Sequence, residues 1–151
     1  MKNIFILIFF LIFSKSNAFE IKLEKIVDDL DRPWSLSFID QNNIIFTEKS
    51  GKLYNLNLKD REAIQIKHNL SVLEDGQGGL LDVLHHEGQI YISYSENRGN
   101  WRTSTSVAKG KFNKNKIKFK NIFRAEPPID SGYHFGSRLI VKEKHLYITV
   151  G

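Results

Sequence analysis

Apolar and polar residues alternate in short runs along most of the chain, a period-two pattern typical of β-strands with one buried face. The clearest runs are 36–38, 44–47, 52–56, 89–93 and 145–149. Gly, Asn, Asp and Lys separate them, as expected for turns. No apolar stripe with a helical period extends beyond two turns. The pattern therefore predicts an all-β fold.

The strand pairs recur along the sequence. An apolar strand, a short polar turn and a second apolar strand ending in a hydroxyl residue occur at 36–47, 81–93 and 139–149. The copies begin 45 (81 − 36) and 58 (139 − 81) residues apart. Short strands with a period of about 40–50 residues are typical of β-propeller blades, and a propeller closes with about four to eight of them. Residues 19–151 would supply two to three blades, so we predict a partial β-propeller from a longer protein.

The first 18 residues form a separate unit in the sequence. Lys2 precedes ten consecutive apolar residues at 4–13, and Ser16 and Ala18 are small residues at the positions that a signal peptidase reads. This apolar run is about half of the roughly 20 residues that a membrane span needs. We therefore expect a signal peptide at 1–18, cleaved after Ala18, a propeller domain at 19–151, a periplasmic or secreted location, and no stable membrane anchor.

The composition limits the chemistry that the chain can perform. It has no cysteine, which excludes disulfides, a thiolate nucleophile and cysteine-ligated zinc. Removing Lys2 and Lys15 with the signal peptide lowers the formal net charge from +5 to +3 (20 basic minus 17 acidic residues). That charge is too mild to indicate a nucleic-acid partner.

Lysines occur at nearly alternate positions in 109–120, with apolar residues between them. Such a stretch could contact an anionic surface. It is equally typical of a hairpin, here turning at 113–115, whose lysines protect an edge strand from aggregation. The regular alternation favours the hairpin.

A glycine-rich turn at 75–81 leads into a predicted strand. Three glycines in four positions allow positive φ and the close approach of another group, and Gln77 can both donate and accept hydrogen bonds. The turn lacks the Lys-Ser/Thr ending of a phosphate loop and precedes a strand rather than a helix. On these residues alone, a plain tight turn and a binding turn both remain open.

His134 precedes a small-residue turn at the mouth of the last predicted strand pair. Histidine is the side chain that exchanges a proton near neutral pH without a large pKa shift, so His134 is a candidate general base. Arg138 could stabilise developing negative charge or form a salt bridge with a carboxylate.

Two further polar groups are less informative. His85 and His86 are adjacent, and we expect them to be exposed in a turn rather than to bind a metal together. The aspartates at 28–31 lack an EF-hand pattern, and calcium needs about six or more oxygen ligands. We therefore predict no metal ligands within this chain.

Several ordered blocks resemble the N-terminal portion of the PQQ-dependent soluble aldose sugar dehydrogenases, the glucose/sorbosone dehydrogenase family. The blocks are 30–38 with 46–53, 75–83 with 91–95, 105–112 with 122–124, and 134–139. They occur in the order found in the family and cover nearly the whole chain after residue 18. Four blocks in order are far more specific than any one of them.

The resemblance implies a six-bladed propeller that binds the quinone cofactor PQQ. His134 matches the family's general base, and Gln77 matches the glutamine that hydrogen-bonds the cofactor. The implied reaction oxidises an aldose at C1 to a lactone, with hydride transfer to PQQ and electron transfer to an external acceptor. Calcium and the remaining PQQ ligands are expected beyond Gly151, so this chain alone is expected to be inactive. The sequence does not specify the sugar.

Two positions depart from the family pattern. Ser137 replaces a usual glycine, and Tyr133 stands where some members have an acid that orients the histidine. A propeller also supports many unrelated functions. The alternative is therefore a non-catalytic propeller module that binds a sugar or a protein partner.

Overall fold

The computed structural model describes residues 20–151, and the signal peptide predicted at 1–18 lies outside them. This part of the chain is built from strands, turns and loops, and it contains no helix that could cross a membrane. The strands are β1 (Pro33–Phe38), β2 (Asn43–Glu48), β3 (Leu53–Asn57), β4 (Ala63–His68), β5 (Leu80–His86), β6 (Gln89–Asn97), β7 (Thr103–Lys111), β8 (Lys116–Ile117), β9 (Lys120–Arg124), β10 (Leu139–Lys142) and β11 (His145–Ile148).

The strands form two antiparallel sheets and the start of a third. The first sheet has the order β1-β2-β3-β4 with β8 added parallel to β4, and the second has the order β5-β6-β7-β9. Strands β10 and β11 pair as a hairpin. Successive four-stranded antiparallel sheets are the blades of a β-propeller. The all-β prediction and the partial propeller of two to three blades are therefore confirmed.

The repeat seen in the sequence corresponds to the first hairpin of each sheet. In the first two copies the closing hydroxyl residue bonds toward the next sheet: Thr47 Oγ1 donates to the Leu81 carbonyl of β5 at 2.6 Å, and Ser93 Oγ donates to the carbonyl of Ser137, in the loop before β10, at 2.7 Å. Both bonds are buried, where a hydrogen bond is shielded from competing water. The hydroxyl at the end of the repeat therefore joins neighbouring blades.

The main core lies between the first two sheets. Ile45 and Leu53 of the first sheet are fully buried and pack in one cluster with Ile90, Ile92 and Tyr94 of the second. Burying a large aliphatic side chain contributes about 1.5–3 kcal/mol. Because neither sheet can cover its own apolar face, this cluster sets the position of one blade against the next.

The predicted hairpin at 113–115 is wrong. Strands β7 and β8 flank this turn but lie in different sheets, since β8 pairs with β4. Ile117 and Phe119 bury their side chains in the core between the sheets, and this burial carries the segment across to the first sheet. Strands β8 and β9 are the last strands of their sheets, so the prediction of lysines on edge strands is confirmed there.

The prediction that His85 and His86 lie exposed in a turn is wrong. They are the last two residues of β5 and are half-buried, because β5 continues to pair with β6 at Ile90 and Gln89. The turn is Glu87–Gly88.

Candidate active site

The glycine-rich turn and the loop that carries His134 meet at the end of the second sheet where β5 begins. The Gln77 backbone N–H donates to the Gly132 carbonyl at 2.7 Å. The Gln77 side-chain oxygen, Oε1, accepts a hydrogen bond from the His134 backbone N–H at 3.0 Å. The two residues selected from the sequence are 57 positions apart and lie side by side in the structure, both exposed.

Glycines at positions 76 and 132, which have no Cβ, allow the two loops to approach this closely. Gly76 has φ +50°, and a Cβ there would lie 2.6 Å from the Gly132 carbonyl oxygen. A Cβ on Gly132 would lie 2.7 Å from the Asp75 carboxylate. Real Cβ atoms do not come this close to a backbone oxygen. The turn at 75–79 is therefore a point of close approach rather than only a chain reversal.

The first sheet supports the same turn. Lys49, in the turn after β2, donates its Nζ to the Gly76 carbonyl at 2.6 Å. The Lys49 carbonyl in turn accepts from the Leu80 N–H at 3.1 Å. Segments from three successive sheets thus converge around Gln77.

The backbone of the His134 loop is strained and well held. His134 and Ser137 have φ values of +63° and +78°, in the left-handed region that non-glycine residues seldom adopt. Buried Thr105 donates its Oγ1 to the Phe135 carbonyl at 2.6 Å, and the Ser137 N–H donates to the Thr149 carbonyl at 2.7 Å. Such strain persists only where surrounding contacts determine it, and it is frequent at functional sites.

The His134 ring itself is open to solvent. It lies 6.5 Å from the Tyr133 ring, measured between centroids, and borders a small cavity of about 180 Å³ that Thr105 and Phe135 also line. Among residues 20–151, no side chain or backbone group hydrogen-bonds either ring nitrogen. The ring is therefore available to accept a proton from a bound molecule, while its backbone is held in place.

A larger cavity lies elsewhere. It measures about 610 Å³ and lies against the first sheet, outside the main core, where it is lined mainly by apolar residues such as Trp34, Leu36 and Phe46. We place the candidate site at His134 and not here, because the His134 loop brings a group suited to proton transfer next to the Gln77 side-chain amide.

Arg138 forms a salt bridge, with its Nη1 atom 3.1 Å from Asp82 Oδ1. Of the two roles considered for Arg138, the structure shows the carboxylate pair. Asp82 is 3% exposed and was missed by the sequence analysis. The available signal was a single acid inside the apolar run 80–84, a position where an unpaired carboxylate would be costly.

Two of the three aspartates at 28–31 form ion pairs. Asp28 lies 3.0 Å from Lys25 Nζ, and Asp31 lies 3.1 Å from Arg32 Nε. The hydrogen bond from Arg32 lowers the pKa of the Asp31 carboxyl below its ordinary value. In the part of the chain that the structure describes, no three His, Cys, Asp or Glu side chains are placed to hold a metal ion.

A second buried acid, Glu96, lies on β6 of the second sheet, and its partners lie on β7 and β9. Glu96 accepts from Arg124 Nε at 2.7 Å and Nη2 at 2.8 Å, and from Ser106 Oγ at 2.7 Å. Burial alone would raise the pKa of Glu96, but the hydrogen bonds from Arg124 and Ser106 outweigh it and lower that pKa. This satisfied network fits a structural role.

The fold and the site together define a β-propeller protein with a candidate active site at one end of its blades. The family model for glucose/sorbosone dehydrogenases matches residues 30–151. The chain belongs to this family.

Relatives agree in sequence and in structure. The aldose sugar dehydrogenase YliI of Escherichia coli (strain K12) is 31% identical over 141 residues, covering 87% of this chain and 38% of that protein. The crystal structure of the soluble aldose sugar dehydrogenase from Escherichia coli in its apo form matches with 32% identity and a TM-score of 0.78, over 85% of this chain and 40% of that one. This chain therefore spans about two fifths of the length of these relatives.

A more distant structure shares the fold. The PQQ-bound aldose sugar dehydrogenase from Streptomyces coelicolor is 16% identical, with a TM-score of 0.73 over 85% of this chain and 40% of that one.

Proposed function

We propose that the full-length protein containing this chain is a PQQ-dependent oxidoreductase that oxidises an aldose at C1 to a lactone, with His134 as general base. The observation that carries the proposal is the 3.0 Å contact between Gln77 and the backbone of His134. It joins the two residues that match the family's cofactor-binding and catalytic positions. Membership of a family whose Escherichia coli relative is an aldose sugar dehydrogenase supports the substrate class.

His134 performs the proton transfer in this proposal. Its exposed ring would accept the proton of the sugar C1 hydroxyl, and bound PQQ would supply the two-electron acceptor for the C1 hydride, so that the product would be a lactone. The loop contacts hold the His134 backbone before substrate arrives, which lowers the ordering cost during the reaction. A positioned base of this kind contributes about 10²–10⁴ in rate.

Gln77 suits a cofactor with oxygen acceptors. Its Oε1 is already used by the His134 N–H, so its Nε2 amide hydrogens are the groups left to bind a ligand. Quinone and carboxylate oxygens of PQQ accept such bonds, and the exposed position of Gln77 leaves room for them. When bound, PQQ supplies the electron-accepting quinone. Calcium would have to be held largely by residues outside those described here, because no metal-binding cluster occurs among residues 20–151.

The test uses the full-length protein with PQQ, calcium, a panel of aldoses and a dye as electron acceptor. We expect His134→Ala to lose about 10²–10⁴ in kcat. His145→Ala is the matched control, since His145 is exposed on β11 and hydrogen-bonds only the nearby Glu143 carbonyl at 2.8 Å. Full turnover by His134→Ala would exclude His134 as the base.

Cofactor binding separates the enzyme from the alternative function. Gln77→Ala should weaken PQQ in a titration followed by absorbance or calorimetry. A full-length protein that binds no PQQ at all would instead support the non-catalytic module that binds a sugar or a protein partner.

Export is also part of the proposal. Cleavage after Ala18 would release a periplasmic or secreted protein, where an external acceptor can collect its electrons. N-terminal sequencing of the mature protein should begin at Phe19. Retention of residues 1–18 would contradict the proposed processing.

A further inference from the structure

Asp82 is a buried carboxylate at the meeting point of three sheets. Its Oδ1 accepts from Ser35 Oγ of β1 at 2.5 Å, and its Oδ2 accepts from the Leu139 N–H at the start of β10 at 2.7 Å. Arg138 Nη1 lies 3.1 Å from Oδ1. A buried carboxylate needs such partners to offset its desolvation. Here the partners come from the blade before and the blade after its own.

A second link runs from the backbone of the same residue. The Asp82 N–H donates to Ser93 Oγ at 2.9 Å, and Ser93 Oγ donates to the Ser137 carbonyl at 2.7 Å. Asp82 thus holds the end of the His134 loop twice, through Leu139 directly and through Ser93 indirectly.

The other end of the loop is held by Gln77, whose Oε1 accepts from the His134 N–H. Between these ends the backbone bends through positive φ at His134 and Ser137. A strained loop of this kind keeps its shape only if both ends are held. Gln77 is exposed, whereas Asp82 is buried, so the hydrogen bonds of Asp82 are the better shielded from competing water.

We propose that Asp82 is a positioning residue for His134: its carboxylate fixes the loop end so that the imidazole points at the reacting hydroxyl. This inference rests on the proposed function, in which His134 is the base. Asp82 is buried, and its role in this proposal does not require contact with sugar or cofactor. It acts through the backbone of the loop, and it makes the direction of the His134 ring depend on the packing of three blades.

Two substitutions at this position separate the carboxylate's contacts. Asp82→Ala removes the acceptors for Ser35, Arg138 and Leu139 together. Asp82→Asn keeps an acceptor for the Leu139 N–H and places a donor beside Ser35 Oγ, and it loses the charge pair with exposed Arg138 together with the hydrogen bond from it.

The experiment measures kcat and KM of the full-length enzyme with PQQ and calcium. A misplacement of about 1 Å can cost on the order of 100-fold. We therefore expect Asp82→Ala to lower kcat by roughly 10–100-fold with little change in KM for sugar or in PQQ affinity, and Asp82→Asn to restore most of the turnover. Ser37→Ala is the matched control: Ser37 Oγ joins β1 to β5 by accepting from the His85 N–H at 3.0 Å, but it does not touch the loop. It should leave kcat unchanged.

The outcomes are distinguishable. If His134→Ala is fully active, the proposed function fails. If His134→Ala is inactive while folded Asp82→Ala keeps wild-type kcat, or if Asp82→Asn is as impaired as Asp82→Ala, the positioning role is wrong. If Asp82→Ala does not fold, Ser93→Ala tests the second link: a lower kcat with unchanged KM supports the inference, and an unchanged kcat overturns it.

Discussion

Replacing Gly76 by alanine tests whether close approach of the two loops maintains the site. The new Cβ would lie 2.6 Å from the Gly132 carbonyl oxygen, whereas ordinary van der Waals contact begins at 3.4 Å. The loops would have to separate by 0.8 Å (3.4 − 2.6) to relieve the overlap. A shift of that size lengthens the contact from the His134 N–H to Gln77 Oε1 from 3.0 Å to about 3.8 Å, beyond hydrogen-bonding distance.

The energetic effect has two parts, and Gly88 separates them. A non-glycine residue with left-handed backbone costs about 1–2 kcal/mol. Gly88 has φ +72°, and a Cβ added there would meet nothing within 4 Å, so Gly88→Ala should show this part alone. Gly76→Ala should cost a further 1–3 kcal/mol or so, the usual range for forcing extra atoms into a packed site. Activity should fall more steeply, by up to about 100-fold in kcat, because the base is displaced.

The measurement is urea unfolding of both full-length variants, together with their steady-state kinetics. Gly88→Ala should lose stability without losing kcat at temperatures where it is folded. Equal stability and equal kcat for the two variants would refute the idea that contact between the loops orients His134.

Three further predictions concern the second sheet. Glu96→Gln should destabilise the protein by about 1–3 kcal/mol at pH 7, because it weakens the hydrogen bonds from Arg124. Since folding lowers the pKa of Glu96, this loss of stability should be complete above pH ~4.3 and should disappear as the pH falls through the folded pKa. A pH-independent difference in urea unfolding would contradict this prediction. Ile92→Ala should cost about 2–5 kcal/mol in urea unfolding, since Ile92 is fully buried, whereas Ile122→Ala at a position 47% exposed should cost far less; equal losses would refute the core assignment. Burial raises the pKa of Tyr94 to about 12, so the ultraviolet difference between wild type and Tyr94→Phe should titrate near pH 12 in folded protein, and titration near 10 would contradict its burial.

Much of the candidate site could be predicted because its signals are local. Clustered glycines indicate a turn that can accept a close neighbour, and a histidine at a strand mouth is a candidate for proton transfer, but it was the family resemblance that selected Gln77 and His134 together. Their contact could not be predicted from spacing, because 57 residues and most of a blade separate them. Their roles in cofactor binding and catalysis stay predictions that the variants above will test.

Two features were missed for one physical reason. Asp82 is a lone acid in an apolar strand, and nothing near it in the sequence indicates Ser35 or Leu139 as partners. Strand β8 was predicted as half of a hairpin, because the alternation of apolar and polar residues is the same whether a strand pairs with its neighbour in sequence or with a strand of another sheet. In both cases the partners are distant in sequence and become neighbours only when the blades pack.

By itself, the sequence determined the all-β character and the repeat of first hairpins, because strand periodicity and turn chemistry depend on neighbouring residues. The tertiary structure alone decided that β8 joins β4, that Asp82 joins three sheets, and that Gln77 meets the His134 loop. These pairings follow from which apolar faces bury each other between blades. That choice is made by contacts over long sequence distances, which no local pattern specifies.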